Sequence, residues 1–187
     1  MLFHTAFGLT AHERALARGL VRAGFACLVV RYAGRTSGAV LGDADARRAL
    51  ERVAEDALAH LGTLPPVDSS RLAIVGLSLG GFLAVHAAAR VRAPSVRAVA
   101  VLYGIYPASL ELVEKLRAPL LVLQGARDAA TFVSGARAVA TLRGGLVARR
   151  EVHVYHDAVH QFDLVQPWSE SSRNAWRHLI DFLRTNV

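Results

Sequence analysis

Five short stretches, residues 27–30, 72–75, 96–103, 120–123 and 147–155, are rich in β-branched and aliphatic residues. Nearly continuous apolar runs, in place of apolar and polar residues in alternation, predict strands buried on both faces, as in a parallel sheet. The segments between them have helical spacing. Over 10–23, Thr10 and Glu13 form a capping box and Leu16 and Leu20 fall on one face. Further helices are predicted over 43–61, 78–90, 133–142 and 170–183. Parallel neighbours need crossover helices, so strand and helix in alternation predict a doubly wound, mostly parallel α/β sheet. Pro65-Pro66 and Pro94 punctuate loops ahead of strands, and neither a linker nor an internal repeat interrupts the chain. The expectation is a single domain over 1–187.

Composition narrows the class. With 187 residues, 53% hydrophobic and 20% charged, the chain has the makings of one core, which excludes a disordered, collagen-like or coiled-coil protein. No apolar run approaches the roughly 20 residues of a membrane span, and Met1-Leu2-Phe3-His4 does not begin a signal peptide. A cytoplasmic protein with no membrane partner is expected. Cys27 is the only cysteine and sits among Leu28, Val29 and Val30, so a buried hydrophobe is expected there. The net charge of +7 raises nucleic acid as a partner, but the basic residues are scattered, with nothing longer than Arg47-Arg48 and Arg149-Arg150. All but Lys115 are arginines. A solvated arginine-rich surface is the simpler reading, and no nucleic-acid partner is expected.

Chemistry concentrates at three predicted strand ends. Gly76-Leu77-Ser78-Leu79-Gly80 lies between a strand and a helix, the setting in which a Gly-x-Ser-x-Gly turn lifts a serine out of the sheet. The Leu79 NH, in the first turn of that helix, points toward where an oxyanion would form. A serine hydroxyl needs a base and an acid. Gly125-Ala126-Arg127-Asp128 follows the strand 120–123 and supplies a carboxylate; His156-Asp157-Ala158-Val159-His160 follows the last strand and supplies imidazoles. Taken singly, an aspartate in a turn is a cap and a histidine a surface or core residue. Ser78, Asp128 and His160, in that order and each beyond a strand, read jointly as nucleophile, acid and base. Asp157 is a rival acid, although its closeness to His160 favours turn capping. His153, His156, Asp157 and His160 raise a metal site, but a strand and a turn do not present them tetrahedrally. No metal is expected, and His12, His60, His86 and His178 on predicted helices read as packing or surface residues.

At this point the sequence resembles the dienelactone hydrolase branch of the α/β-hydrolase superfamily over most of its length. The likeness is carried by His4-Thr5-Ala6-Phe7-Gly8-Leu9, Glu13-Arg14, Gly24-Phe25, Val75 through Gly81, Tyr103-Gly104, Ala118-Pro119, Gly125 through Asp128 and Tyr155 through Phe162. The resemblance implies the roles already named for Ser78, Asp128 and His160, and an oxyanion hole made by the backbone NH groups of Leu79 and Ala6. It departs from the family in having Ser78 where the best-known members have cysteine, and Thr5 where they carry an acid. The strand before the oxyanion loop, which by resemblance belongs near the middle of the sheet, is at most residues 1–4. The N-terminal antiparallel strands are thus expected to be absent, with an apolar sheet edge open to self-association.

The function expected is hydrolysis of a small carboxylic ester or lactone through an acyl-enzyme, without a cofactor. Only residues 104–118 separate one strand from the next where relatives insert a lid, so no lid domain and a small substrate are expected. Arg35 is a candidate partner for a substrate carboxylate, with a surface arginine as the plainer alternative. A non-catalytic pseudohydrolase or binding module is the rival reading, favoured by the short beginning and opposed by the order of the three polar residues.

Overall fold

A computed structural model describes residues 1–32, 43–90, 96–143 and 149–187. The strands are β1 (Leu2–Phe3), β2 (Val29–Val30), β3 (Leu72–Leu77), β4 (Val96–Leu102), β5 (Leu120–Gly125) and β6 (Arg150–Tyr155). They form one sheet in the order β2-β1-β3-β4-β5-β6, with every pair parallel. The helices are α1 (Ala11–Arg22), α2 (Ala44–Thr63), α3 (Leu79–Arg90), α4 (Leu110–Lys115), α5 (Ala130–Thr141), α6 (Phe162–Val165) and α7 (Glu170–Asn186), with a 3₁₀ turn at Pro107–Ser109 ahead of α4.

Successive side chains of a strand point to opposite faces, so a strand apolar throughout feeds two cores. On one face Ile74, Val99, Val101, Leu120 and Val122 pack with Ala54 and Leu58 of α2, Phe82 and Val85 of α3 and Ala136 of α5. On the other, Val75, Leu77, Ala98, Ala100, Leu121 and Leu123 pack with Leu20 of α1 and Ala175, Leu179 and Leu183 of α7. The i, i+4, i+8 spacing of those last three gives α7 one apolar stripe.

The capping box of α1 is present, and α2 starts at an N-cap aspartate, Asp43, that accepts from the NH groups of Asp45 and Ala46. Three expectations need correction. The strand over 27–30 contracts to Val29–Val30, because its neighbour β1 offers only Leu2 and Phe3 to pair with. Cys27 is half-buried, not buried. The strand predicted over 147–155 runs from Arg150 to Tyr155 and is the edge of the sheet, largely half-buried; residues 144–148 lie outside the described part. No helix among the described residues is long and apolar enough to cross a membrane.

Candidate active site

The site sits where β1, β3, β5 and β6 end. β3 runs into α3 through Ser78, whose φ is 53°, a left-handed conformation that costs a residue with a side chain on the order of 1–3 kcal/mol and persists only where its surroundings enforce it. Packing enforces it here. A Cβ on Gly76 would lie 2.1 Å from the Gly80 carbonyl oxygen, and one on Gly80 would lie 2.5 Å from the carbonyl oxygens of Phe3 and His4. Absence of side chains at these two positions lets α3 fold back onto β3 and lets the end of β1 press against the first turn of α3. The Ser78 NH donates to the Leu102 carbonyl (2.9 Å) and the Ser78 carbonyl accepts from the Gly81 NH (2.8 Å).

The turns after β5 and β6 are sewn together by Ala126 NH to Tyr155 carbonyl (2.8 Å) and Arg127 NH to Ala158 carbonyl (2.9 Å). This brings Asp128 to His160. Nδ1 of His160 is 2.7 Å from Oδ2 of Asp128, and Nε2 is 3.0 Å from Oγ of Ser78. The Asp128 side chain is 2% exposed and that of His160 is 32% exposed, so the carboxylate is shielded while the imidazole keeps part of its surface toward solvent. With Nδ1 protonated toward the Asp128 carboxylate, Nε2 would present its lone pair to the serine hydroxyl. The three side chains singled out in the sequence thus form one unbroken line that ends on Ser78, a residue 7% exposed.

Sequence reasoning missed two residues that fix this line. Gln124, buried at the end of β5, donates from Nε2 to Oδ2 of Asp128 (2.7 Å), while the Ala129 NH holds Oδ1 (2.6 Å). Phe132, in the first turn of α5, stacks on the His160 ring with centroids 4.9 Å apart. Tyr103 meets that ring edge-on at 5.1 Å; burial pushes its phenol well above the ordinary range, so it is neutral. Gln124 carried a signal, a lone amide closing an apolar strand, whereas Phe132 carried none.

The loop after β1 lies against the start of α3. Tyr32 stacks on His4 with ring centroids 3.8 Å apart and donates its hydroxyl to the His4 carbonyl. The Ala6 NH is bonded to nothing among the described residues, and Leu79 opens α3, where an NH has no intrahelical acceptor. His12, expected as a packing or surface residue, has its Nε2 3.1 Å from Oδ2 of Asp163 on α6. This couples α1 to the turn that carries His160. Burial lowers the His12 pKa, but the Asp163 and Glu13 carboxylates outweigh it and hold the imidazole above its ordinary value. The atoms are close without meeting in good hydrogen-bond alignment, so attraction between charges is the better description.

The rival residues lead elsewhere. Asp157 accepts from the Ser171 hydroxyl at 2.6 Å, in the first turn of α7, and His153 stacks on His178 at 3.8 Å. No group of three histidine, cysteine or acidic residues among the described residues is arranged to hold a metal. Arg35 lies outside the described residues. A cavity of about 220 Å³ opens at the opposite ends of the strands, lined by Met1, Cys27, Leu72 and Val187. It holds none of this chemistry, so convergence of polar groups, not concavity, identifies the site.

Compared with known proteins, no curated protein matches the chain. Among solved structures it is similar to the dienelactone hydrolase of Anabaena variabilis ATCC 29413, at 21% identity over 100% of this chain and 85% of that one, with a TM-score of 0.71. It is also similar to m3DLH, at 23% identity over 99% of this chain and 85% of that one, with a TM-score of 0.76. A third likeness is to a dienelactone hydrolase-like promiscuous phosphotriesterase from metagenomic libraries, at 22% identity over 99% of this chain and 84% of that one, with a TM-score of 0.70. These identities speak for the α/β-hydrolase fold. Residues 1–187 match the dienelactone hydrolase family as a whole, and the chain belongs to that family, among the hydrolases of the α/β type.

Proposed function

We propose that the chain hydrolyses small carboxylic esters or lactones through an acyl-enzyme on Ser78. The observation that carries this reading is the line from Ser78 Oγ to His160 Nε2 at 3.0 Å and from His160 Nδ1 to Asp128 Oδ2 at 2.7 Å. Asp128 holds the tautomer in which Nε2 is basic, and Nε2 takes the serine proton as Oγ attacks the carbonyl carbon. The carbonyl oxygen gains a full negative charge in the tetrahedral intermediate. It is met by the backbone NH groups of Leu79 and Ala6, each worth on the order of 10²–10³ in rate when aligned. Asp128 stabilises the imidazolium, which returns the proton to the departing alkoxide; a lactone's alcohol stays tethered to the acyl group. Water, deprotonated by the same Nε2, then attacks the acyl carbon, and the imidazolium passes that proton to Oγ as the bond to Ser78 breaks and the acid leaves.

The stretch between β4 and β5 supports a small substrate. It consists of the short 3₁₀ turn and α4, packed through Leu112 and Val113 into the core. The test is a panel of short-chain esters and lactones. Turnover by the wild type and none by Ser78→Ala is expected, and a folded wild type inert across the panel overturns the reading.

A further inference from the structure

We infer that Glu13 is a positioning residue for the oxyanion-binding loop: its buried carboxylate ties Thr5 to Thr10 and thereby holds the Ala6 NH beside the Leu79 NH. The inference rests on the ester-hydrolase reading of the site and goes beyond the capping role that the sequence assigns to Glu13.

The loop needs an anchor because the sheet gives it little. Among the described residues β1 pairs with its neighbours only through Leu2 and Phe3, and no ladder there extends past Phe3 to fix residues 4–10. Glu13 stands on the first turn of α1, and α1 is itself fixed by Leu16, Ala17 and Leu20 against the core. From that rigid platform the carboxylate, on a residue 1% exposed, reaches both ends of the loop. Oε1 accepts from the NH of Thr5 (3.3 Å) and its hydroxyl (3.2 Å). Oε2 accepts from the Thr10 NH (2.8 Å) and from the Thr10 hydroxyl in a short contact.

Four donors on one carboxylate make the arrangement charge-specific. Burial pushes the Glu13 carboxyl up, but the Thr10 hydroxyl and the NH groups of Glu13, Thr10 and Thr5 outweigh it and keep the group below the ordinary carboxylate range. The Thr5 hydroxyl, while donating to Glu13, accepts from the Phe7 NH (3.3 Å), and the Thr5 carbonyl accepts from the Gly8 NH (3.2 Å). The donors of Thr5, Phe7, Gly8 and Thr10 are therefore all turned inward. The NH of Ala6, between them, has no partner among the described residues. An amide at position 13 keeps one acceptor but sets its NH₂ against the donors of the other threonine, releasing one end of the loop.

The experiment compares wild type with Glu13→Gln below the melting temperature of both, by ester turnover, by inhibition with a trifluoromethyl ketone that adds to a serine as a tetrahedral oxyanion, and by amide hydrogen exchange over residues 4–10. A misplaced oxyanion donor predicts kcat lower by about 10- to 100-fold. KM should stay within about twofold, affinity for the ketone should fall in parallel with kcat, and exchange in the loop should quicken. Thr5→Val, which removes the hydroxyl bonds to Glu13 and from the Phe7 NH but leaves the Thr5 NH on Oε1, is expected to lower kcat by about three- to tenfold in the same pattern, and decides the matter if Glu13→Gln does not fold. Folded variants with kcat within twofold of wild type, with the loss confined to KM, or with unchanged loop exchange overturn the inference. A wild type inert toward esters, in contrast, removes the hydrolase reading on which the role rests, while the exchange data still report whether Glu13 holds the loop.

Discussion

The two halves of the sheet hold their parts of the site by different means. From β3 to β6 the ladders are long: β5 pairs with β6 from Leu120 opposite Arg150 to Gly125 opposite Tyr155, and β3 pairs with β4 along its whole length. Ser78, Asp128 and His160 stand at the ends of these ladders. On the other side β1 and β2 contribute two residues each, and the loop carrying Ala6 is met by side chains, Glu13 at Thr5 and Thr10 and Tyr32 at His4, while His12 of the adjoining α1 faces Asp163 of α6. Backbone ladders fix the positions of Ser78, Asp128 and His160, whereas a few polar side chains meet the loop that carries Ala6. Substitutions on the first side should therefore damage chemistry without loosening the fold, and those on the second should do both.

The largest effects belong to the ladder side. Ser78→Ala and His160→Ala are each expected to lower kcat/KM by about 10⁴–10⁶, with the double variant little worse than either. Losses that multiply would show two residues acting separately. Next comes the acid: Asp128→Asn should cost about 10³–10⁴ in kcat by disturbing the imidazole tautomer. Asp157→Asn should stay within a few-fold, since Asp157 meets Ser171 instead. The reverse ranking in the same assay moves the acid.

Phe132 allows a subtler test. Its ring lies face to face with His160, and an aromatic face stabilises an imidazolium by about 0.5–2 kcal/mol. Phe132→Leu is thus expected to lower kcat by roughly 3- to 30-fold, and Phe132→Tyr to keep most of it. Equal effects of the two changes would reduce the ring to a spacer.

The smallest effects are in stability against pH, and they probe the side-chain half. The Glu13 pKa is held down in the folded state, so its contribution is complete above the ordinary carboxylate value and is lost as pH falls through the lower folded value. The melting temperature of wild type should therefore exceed that of Glu13→Gln at pH 7 and converge with it toward pH 3. His12 has the opposite sign. Its pKa is raised, so its contribution is complete below the ordinary imidazole value of 6.5 and is lost as pH rises through the folded value. The gap between wild type and His12→Asn should narrow from pH 6 to pH 9, and a gap that widens would contradict the His12–Asp163 pairing.

The sequence made the ladder half legible and left most of the other half hidden. Buried parallel strands betray themselves by apolar runs, and Ser78, Asp128 and His160 stood out because each follows such a run; they are the three side chains that meet. The capping box at Thr10 and Glu13 was readable because it spans a fixed three-residue offset. The reach of Glu13 back to Thr5, the seat of Phe132 on His160 and the grip of His12 on Asp163 were not, since tertiary packing sets them and no local period records them. α4 and α6, at six and four residues, are too short for a helical period to declare itself. The edge strand β6 resembled a buried one because Val152 and Val154 satisfy either reading.

The most direct test of the central claim, that Ser78, His160 and Asp128 act as one hydrolytic unit, is covalent labelling of the folded chain with a fluorophosphonate, read by peptide mass spectrometry. A single adduct is expected, on Ser78, formed rapidly by wild type and slowed by at least about 10³ in His160→Ala. Labelling of a different serine, no labelling of the folded wild type, or equal labelling of Ser78 in His160→Ala would contradict it.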